Sequence, residues 1–367
     1  MGATAAAGSR LHRESRRCIL RPFDPKRAQT VSHPQNEVSV VPAKPRFSLI
    51  ELEPERNASF GKEVERGLTD SPKSIPCRFL YDERGSQLFE RICETPEYYV
   101  TRAEHEILAN RSEEIAQVFP SPITLAELGS GSSSKTRLLI EALLRRHGGL
   151  RYLPVDISRT MLEASSMDLI DRYDALEIRA IASEYRAGLR HVGAETDRSK
   201  LIVWLGSNVG NYGREEAARL LGNIRSAMAS ADRLLIGIDL RKDRATLESA
   251  YDDAQGITAE FSANLLSRIN RDLGGHFDLT RFRHRAVYHE GEGHVEIGLV
   301  SLQRQRVAID AIDLEIDLAD GEAIHIENAF KYSPAEIEHL AALAGMEVER
   351  SWLDSRRRFS LNLFAPM

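Results

Sequence analysis

Cysteine is scarce in this 367-residue chain: Cys18, Cys77 and Cys93 are the whole set, an odd number without C-x-x-C spacing. That excludes a secreted disulfide framework and a zinc ribbon, and it fits a reducing, cytoplasmic compartment. Long apolar runs are missing as well. The most hydrophobic stretches, such as Leu201 to Leu205, are strand-sized and fall far short of the ~20 residues that cross a bilayer. The chain therefore reads as soluble, with no membrane partner. A basic excess is also lacking. Lys+Arg 49 against Asp+Glu 55 gives a net charge of −6, which argues against a protein that grips nucleic acid by neutralising phosphates. A small-molecule ligand is expected instead.

What is present is a chain of 42% hydrophobic residues, long enough for about two domains with a proper core. Residues 1 to 45 stand apart, with eight Lys/Arg against three Asp/Glu, which leaves −11 for the remainder. Ala, Ser, Arg and Pro dominate there without apolar periodicity, so the segment is expected to be a disordered basic tail. Its Arg-rich start is read as a solvated extension rather than an organelle presequence. Gly2 lacks the Ser or Thr at position 6 that myristoylation needs.

From Ile123 onward, short β-rich runs alternate with helical stretches, the rhythm of a parallel sheet with crossover helices. Strands are expected at Ile123 to Leu128, Arg151 to Asp156, Leu176 to Ile181, Leu201 to Gly206 and Arg233 to Asp239. Helices are expected near 135–147, 159–173 and 214–230. Capping boxes at Thr101 with Glu104, and at Ser333 with Glu336 and Pro334, mark two more helix starts. After Asp239 the rhythm changes to a helical stretch over 244–273 and antiparallel strands near 294–302 and 306–312, a second unit.

The first strand runs into Glu127-Leu128-Gly129-Ser130-Gly131, with a helix beginning about Lys135. This is G-x-G without the third glycine of the dinucleotide fingerprint, so a nicotinamide cofactor is disfavoured, and no P-loop is present. Asp156, at the end of the next strand, is placed to accept ribose hydroxyls. Loop and acid together point to adenosine, and S-adenosylmethionine suits them better than a phosphorylated nucleotide because it needs no phosphate cradle. Lys135 is read either as part of that site or as a solvated helix residue.

Six ordered motifs go further: Tyr81-Asp82-Glu83-Arg84-Gly85-Ser86, Pro96-Glu97-Tyr98-Tyr99-Val100-Thr101-Arg102, the Glu127 to Gly131 loop, Leu205-Gly206-Ser207-Asn208-Val209-Gly210-Asn211, the run from Tyr251 to Phe261, and Ile326-Glu327-Asn328-Ala329-Phe330-Lys331-Tyr332. Over most of 75–366 the chain resembles the ergothioneine-pathway histidine Nα-methyltransferase family. The resemblance implies an α/β fold, with a Rossmann-like methyltransferase domain over 101–243 and an α+β substrate-binding domain. The latter would be formed by a helical part at 46–100 and by 244–367, whose last strand returns to the main sheet.

It implies that Tyr98, Gly129, Gly131, Lys135 and Asp156 contact S-adenosylmethionine, with Glu184 and Tyr185 standing where the family has an Asp-Phe pair beside the adenine. Asn211 and Tyr251 would hold the substrate carboxylate, Tyr81 would lie near the amine, and Glu327 would face the side-chain ring. Tyr81 and Tyr251 are the candidate catalytic residues. Two departures bear on substrate choice: Ala329 replaces a family serine, and Ile297 replaces a methionine. Histidine remains the leading substrate, to be trimethylated to hercynine by a monomeric enzyme without a metal. The alternatives are arginine or tryptophan on the same fold, or an idle module that binds the methyl donor.

Other features have plainer readings. His276, His284, His289 and His294 miss the i, i+4 spacing of a metal pair and are read as solvated loop residues. Arg356 to Arg358 is read as a solvated charge run, and Cys77 and Cys93 as inert thiols. From spacing alone, Glu327 and Asn328 would equally serve as caps for the helix that follows.

Overall fold

The computed structural model describes residues 46–52 and 60–367; the basic tail expected over 1–45 lies outside them. Six parallel strands form the centre: β1 (Phe47–Glu51), β2 (Thr124–Leu128), β3 (Leu150–Asp156), β4 (Leu176–Ala182), β5 (Lys200–Trp204) and β6 (Arg233–Asp239). Every residue of β2 and β5 is buried, as near-continuous apolar strands covered on both faces should be.

Helices α1 (Phe60–Thr69), α2 (Glu83–Glu94) and α3 (Val100–Gln117) precede β2, and α4 (Arg137–His147), α5 (Arg159–Arg172), α6 (Tyr185–Ala194) and α7 (Arg214–Ser226) make the crossovers. Beyond β6 come α8 (Arg244–Ala250) and α9 (Ile257–Leu273), then β7 (Phe282–His289), β8 (His294–Ser301), β9 (Gln305–Ile309), β10 (Leu314–Leu318) and β11 (Ala323–Phe330). The chain closes with α10 (Pro334–Leu343), β12 (Met346–Leu353) and β13 (Phe359–Pro366).

The main sheet runs β1-β4-β3-β2-β5-β6-β13-β12, with β13 antiparallel to β6 and β12 antiparallel to β13. Strand order reverses between β2 and β5, the switch point where doubly wound sheets open a ligand crevice at their carboxyl edge. This is the Rossmann-like fold expected from the rhythm of the sequence. Two smaller antiparallel sheets, β11-β8-β7 and β9-β10, belong to the insertion between β6 and α10.

Several expectations need correction. Residues 47–51, assigned to a helical segment, form β1 and pair with β4 of the main sheet. The 244–273 helix is two helices, because Asp253 draws the backbone N–H groups of Ile257 and Thr258 onto its carboxylate and Gly256 takes a left-handed turn. The strands near 294 and 306 are both present and antiparallel, but in different sheets; β7 and β10 are their partners. Glu327 and Asn328 lie within β11 and cap no helix. The Ser333 capping box forms with Glu336 as expected, whereas Thr101 does not cap α3. That helix begins one residue earlier, and Glu104 turns inward to other partners.

Candidate active site

Gly129 follows β2, Asp156 ends β3, Glu184 and Tyr185 follow β4, Gly206 follows β5 and Asp239 ends β6. Parallel pairing therefore lines these residues along one carboxyl edge although they span more than a hundred positions of sequence. Gly129 and Gly131 both have left-handed φ, +71° and +48°, which glycine adopts without a Cβ penalty. A Cβ on Gly129 would lie 2.6 Å from the Tyr185 hydroxyl, whereas one on Gly131 would enter open space. The loop is thus packed beneath and open above.

Asp156 accepts the Gly131 N–H at 2.9 Å on one oxygen and the Ser158 N–H at 2.9 Å on the other. Burial pushes its carboxyl above the ordinary range, and the backbone N–H groups of Ser158, Gly131 and Ile157 oppose that. Each oxygen keeps a second lone pair, so a ribose diol fits. Tyr185 stands edge-on to Trp204 at 5.9 Å beside the loop, and Glu184 is exposed at the start of α6. Lys135 is not a solvated residue: its ammonium pairs with Glu104, which is wholly buried and accepts the Gly206 N–H at 2.9 Å. Burial alone would lower the Lys135 pKa, and the Glu104 charge overrides it.

Gly206 also borders a cavity of ≈ 670 Å³, mouth included. Tyr81, Tyr98, Asn211, Tyr251, Ile297, Glu327 and Ala329 all line it. Five of the six motifs, far apart in sequence, thus converge on one space, and Lys135, just past the sixth motif, the glycine loop, reaches it beside Gly206. The rings are mutually edge-on: Tyr81 lies 5.4 Å from Phe261 and 5.5 Å from Phe89, and Tyr98 lies 6.1 Å from both Phe89 and Tyr251. Burial, reinforced by Glu327, holds the Tyr81 hydroxyl well above its usual pKa, so it stays a neutral hydrogen-bonding group.

Glu327 sits just past a bulge in β11, opposite Ile297 of β8, with Ala329 two residues further on the same wall. Among the described residues no donor hydrogen-bonds to its carboxylate. Burial raises its pKa to about 7, against the pull of Lys331.

The positions of the histidines differ from expectation. His284 and His289 lie in β7 and His294 begins β8. His284 bridges Ser262 Oγ at 3.0 Å and the Tyr251 carbonyl at 2.7 Å, which fixes the backbone of a cavity residue. The ligating atoms of His289, His294 and Glu296 come within 4.8 Å of one another, a convergence that their sequence spacing does not reveal.

Sequence reasoning also gave no site role to Asp239 or Lys331 and read Glu104 only as a helix cap. The signal was available for Lys331, a lysine between two aromatics in an otherwise buried run. Asp239 is unremarkable in sequence, and it and Glu104 acquire their place in the site only from burial.

Comparison with known proteins identifies the family. A histidine N-alpha-methyltransferase of Mycobacterium tuberculosis (strain CDC 1551 / Oshkosh) is 40% identical over 304 residues, covering 83% of this chain and 94% of the relative. One from Mycolicibacterium smegmatis is 38% identical over 82% of this chain and 93% of its own length. Ergothioneine biosynthesis protein 1 of Neurospora crassa is 33% identical over 77% of this chain and 32% of that longer protein. The model of the SAM-dependent, histidine-specific methyltransferases matches residues 60–366, and the chain belongs to that family.

Proposed function

We propose that this protein transfers methyl groups from S-adenosylmethionine to the α-amino nitrogen of free histidine, giving the trimethylated betaine hercynine. The observation that carries this reading is Glu327, a half-buried carboxylate facing the cavity without a hydrogen-bond partner among the described residues, in the same cavity as Asn211 and Tyr251. Leaving such a group unmatched costs ~1–3 kcal/mol or more, so the site selects a ligand with an N–H to offer.

Asn211 and Tyr251 hold the substrate carboxylate, and Glu327 receives an imidazole N–H, which fixes the amino acid at both ends and aims its amine toward Gly206 and the glycine loop. The methyl donor supplies an electrophilic methyl on a sulfonium; the amine lone pair forms the new N–C bond as the C–S bond breaks. Alignment of a neutral amine is then the main task of the protein. The neutral Tyr81 hydroxyl accepts an amine N–H and passes the released proton toward water. Positive charge grows on nitrogen with each transfer, and the faces and edges of Tyr81, Phe89, Tyr98 and Phe261 surround it, where cation–π attraction favours a quaternary ammonium.

The test is incubation of the protein with labelled methyl donor and each free amino acid. Hercynine from histidine is expected, and no transfer to any amino acid refutes the reading. Ala329, small, and Ile297, apolar, beside Glu327 favour one second reading, in which arginine or tryptophan is the substrate. Faster turnover of either than of histidine selects it.

A further inference from the structure

One buried ammonium in the cavity wall has no part in the scheme above. Lys331 follows β11 with a side chain only 1% exposed; its Nζ lies 2.9 Å from Asp239 Oδ2 and donates to the Tyr251 hydroxyl oxygen at 2.7 Å. On its other side Asp239 accepts the Tyr99 hydroxyl at 2.8 Å and the Lys242 ammonium at 2.7 Å. Two ammoniums share one carboxylate, and the cluster carries a positive charge in excess.

The neighbours do not neutralise it. Burial keeps Tyr99 and Tyr251 protonated. Arg358, stacked on Tyr99, is itself opposite Asp354. Glu327 shares the cavity and feels the Lys331 charge, but among the described residues it forms no ion pair with either ammonium of the cluster. An uncompensated buried charge is costly, and an anion arriving in the cavity relieves it.

Hydrogen-bond direction says where that anion binds. An ammonium has protons to give and no lone pair to receive one. Tyr251 must therefore meet Lys331 with an oxygen lone pair, and its own O–H is directed elsewhere. Among the described residues no acceptor takes that proton, and the cavity lies before it.

We propose that Lys331 is a positioning residue for the substrate carboxylate: it locks Tyr251 as a donor aimed into the cavity and places the excess charge of the Asp239 cluster behind it. This inference rests on the proposed function and adds a residue and a cause to it. It makes the carboxylate, rather than the side chain, the main determinant of amino acid affinity.

The experiment compares binding of histidine and of histidinamide, which lacks the carboxylate charge, by calorimetry on the full chain loaded with S-adenosylhomocysteine. The wild type is expected to prefer histidine. Lys331→Met is expected to lose about 10- to 100-fold for histidine and little for histidinamide, with S-adenosylhomocysteine affinity unchanged; a merely structural lysine would weaken both amino ligands alike. Lys331→Arg, which keeps charge and donors, restores part of the preference. A wild type blind to the carboxylate overturns both this inference and the carboxylate clamp of the proposed function. A wild type that prefers histidine, with a Lys331→Met protein that keeps the same preference, overturns the Lys331 assignment alone. Should Lys331→Met fail to fold, Tyr251→Phe decides: an undiminished preference there overturns the inference too.

Discussion

Replacing Glu327 by glutamine isolates the charge that the ligand must match. The carboxyl is held at about 7 rather than its ordinary 4.5, chiefly by burial. At about 1.4 kcal/mol per unit, that difference amounts to about 3 kcal/mol as an upper limit. Because the folded pKa is raised, the group favours folding fully below about pH 4.5, and that contribution is lost as pH rises toward and past 7. Glutamine has nothing to lose. The stability of Glu327→Gln relative to wild type should therefore grow by up to about 3 kcal/mol between about pH 5 and pH 8, on the order of 5 °C in melting temperature for a chain of this size. Other buried acids, Glu127 among them, are common to both proteins and cancel. Melting curves of the ligand-free proteins at the two pH values provide the assay, repeated with saturating histidine, where the wild type should gain more than the variant. A melting difference that is the same at both pH values would show that Glu327 is not held charged against its surroundings, and the argument for an N–H-bearing substrate would go with it.

The other predictions concern single contacts. Asp156→Ala removes the acid that Gly131 and Ser158 hold in place; methyl-donor affinity should fall at least about 10-fold by calorimetry while histidine preference is kept. Lys135→Met strands Glu104 as a buried charge, so both melting temperature and donor affinity should drop, by about 3 kcal/mol or more in stability. Ala329→Ser places a hydroxyl on the cavity wall beside Glu327 and should lower the KM for histidine by about 2- to 10-fold without changing kcat. Glu127 is buried under the glycine loop against Thr136 and Tyr152, with burial raising its carboxyl to about 7. The stability of Glu127→Gln relative to wild type should consequently grow as pH rises toward and past that value, as melting curves at several pH values would read.

Much of the sheet was legible because its strands are apolar on both faces and end in turn residues; β6 falls on the expected Arg233–Asp239. The glycine loop and Asp156 could be read as a nucleoside site because both elements are local, a turn and the end of a strand. The cavity wall of Ile297 and Glu327 could not be found that way. Ile297 and Glu327 face each other through a strand pairing with a bulge, and no spacing rule anticipates that register. Their assignment depended on resemblance alone until the cavity brought them together. The error at Thr101 has a similar cause. Glu104 at the third position after it satisfies the capping pattern, but a carboxylate that can reach a buried ammonium and a buried N–H gains more from them than from a helix end.

The same trade explains why two buried acids matter more than their sequence context suggests. Glu104 accepts the Gly206 N–H and binds Lys135, and Asp239 binds Lys242 and Lys331 while its own N–H donates to Ser207 Oγ at 2.9 Å. Between them they fix Gly206 and Ser207, both in left-handed conformations, at the seam between the glycine loop and the cavity that Asn211, Tyr251 and Glu327 line. Neither acid need touch a ligand to do this. In-line transfer tolerates little error in the distance between two separately bound molecules, and a seam tied to two carboxylates and three ammoniums is stiffer than a loop tied to the backbone alone. Loosening either node should reduce kcat in addition to any loss of ligand affinity. Glu104→Gln offers the direct comparison: it keeps the Gly206 hydrogen bond but not the Lys135 charge, and a variant with wild-type kcat would show that the seam does not depend on that ion pair.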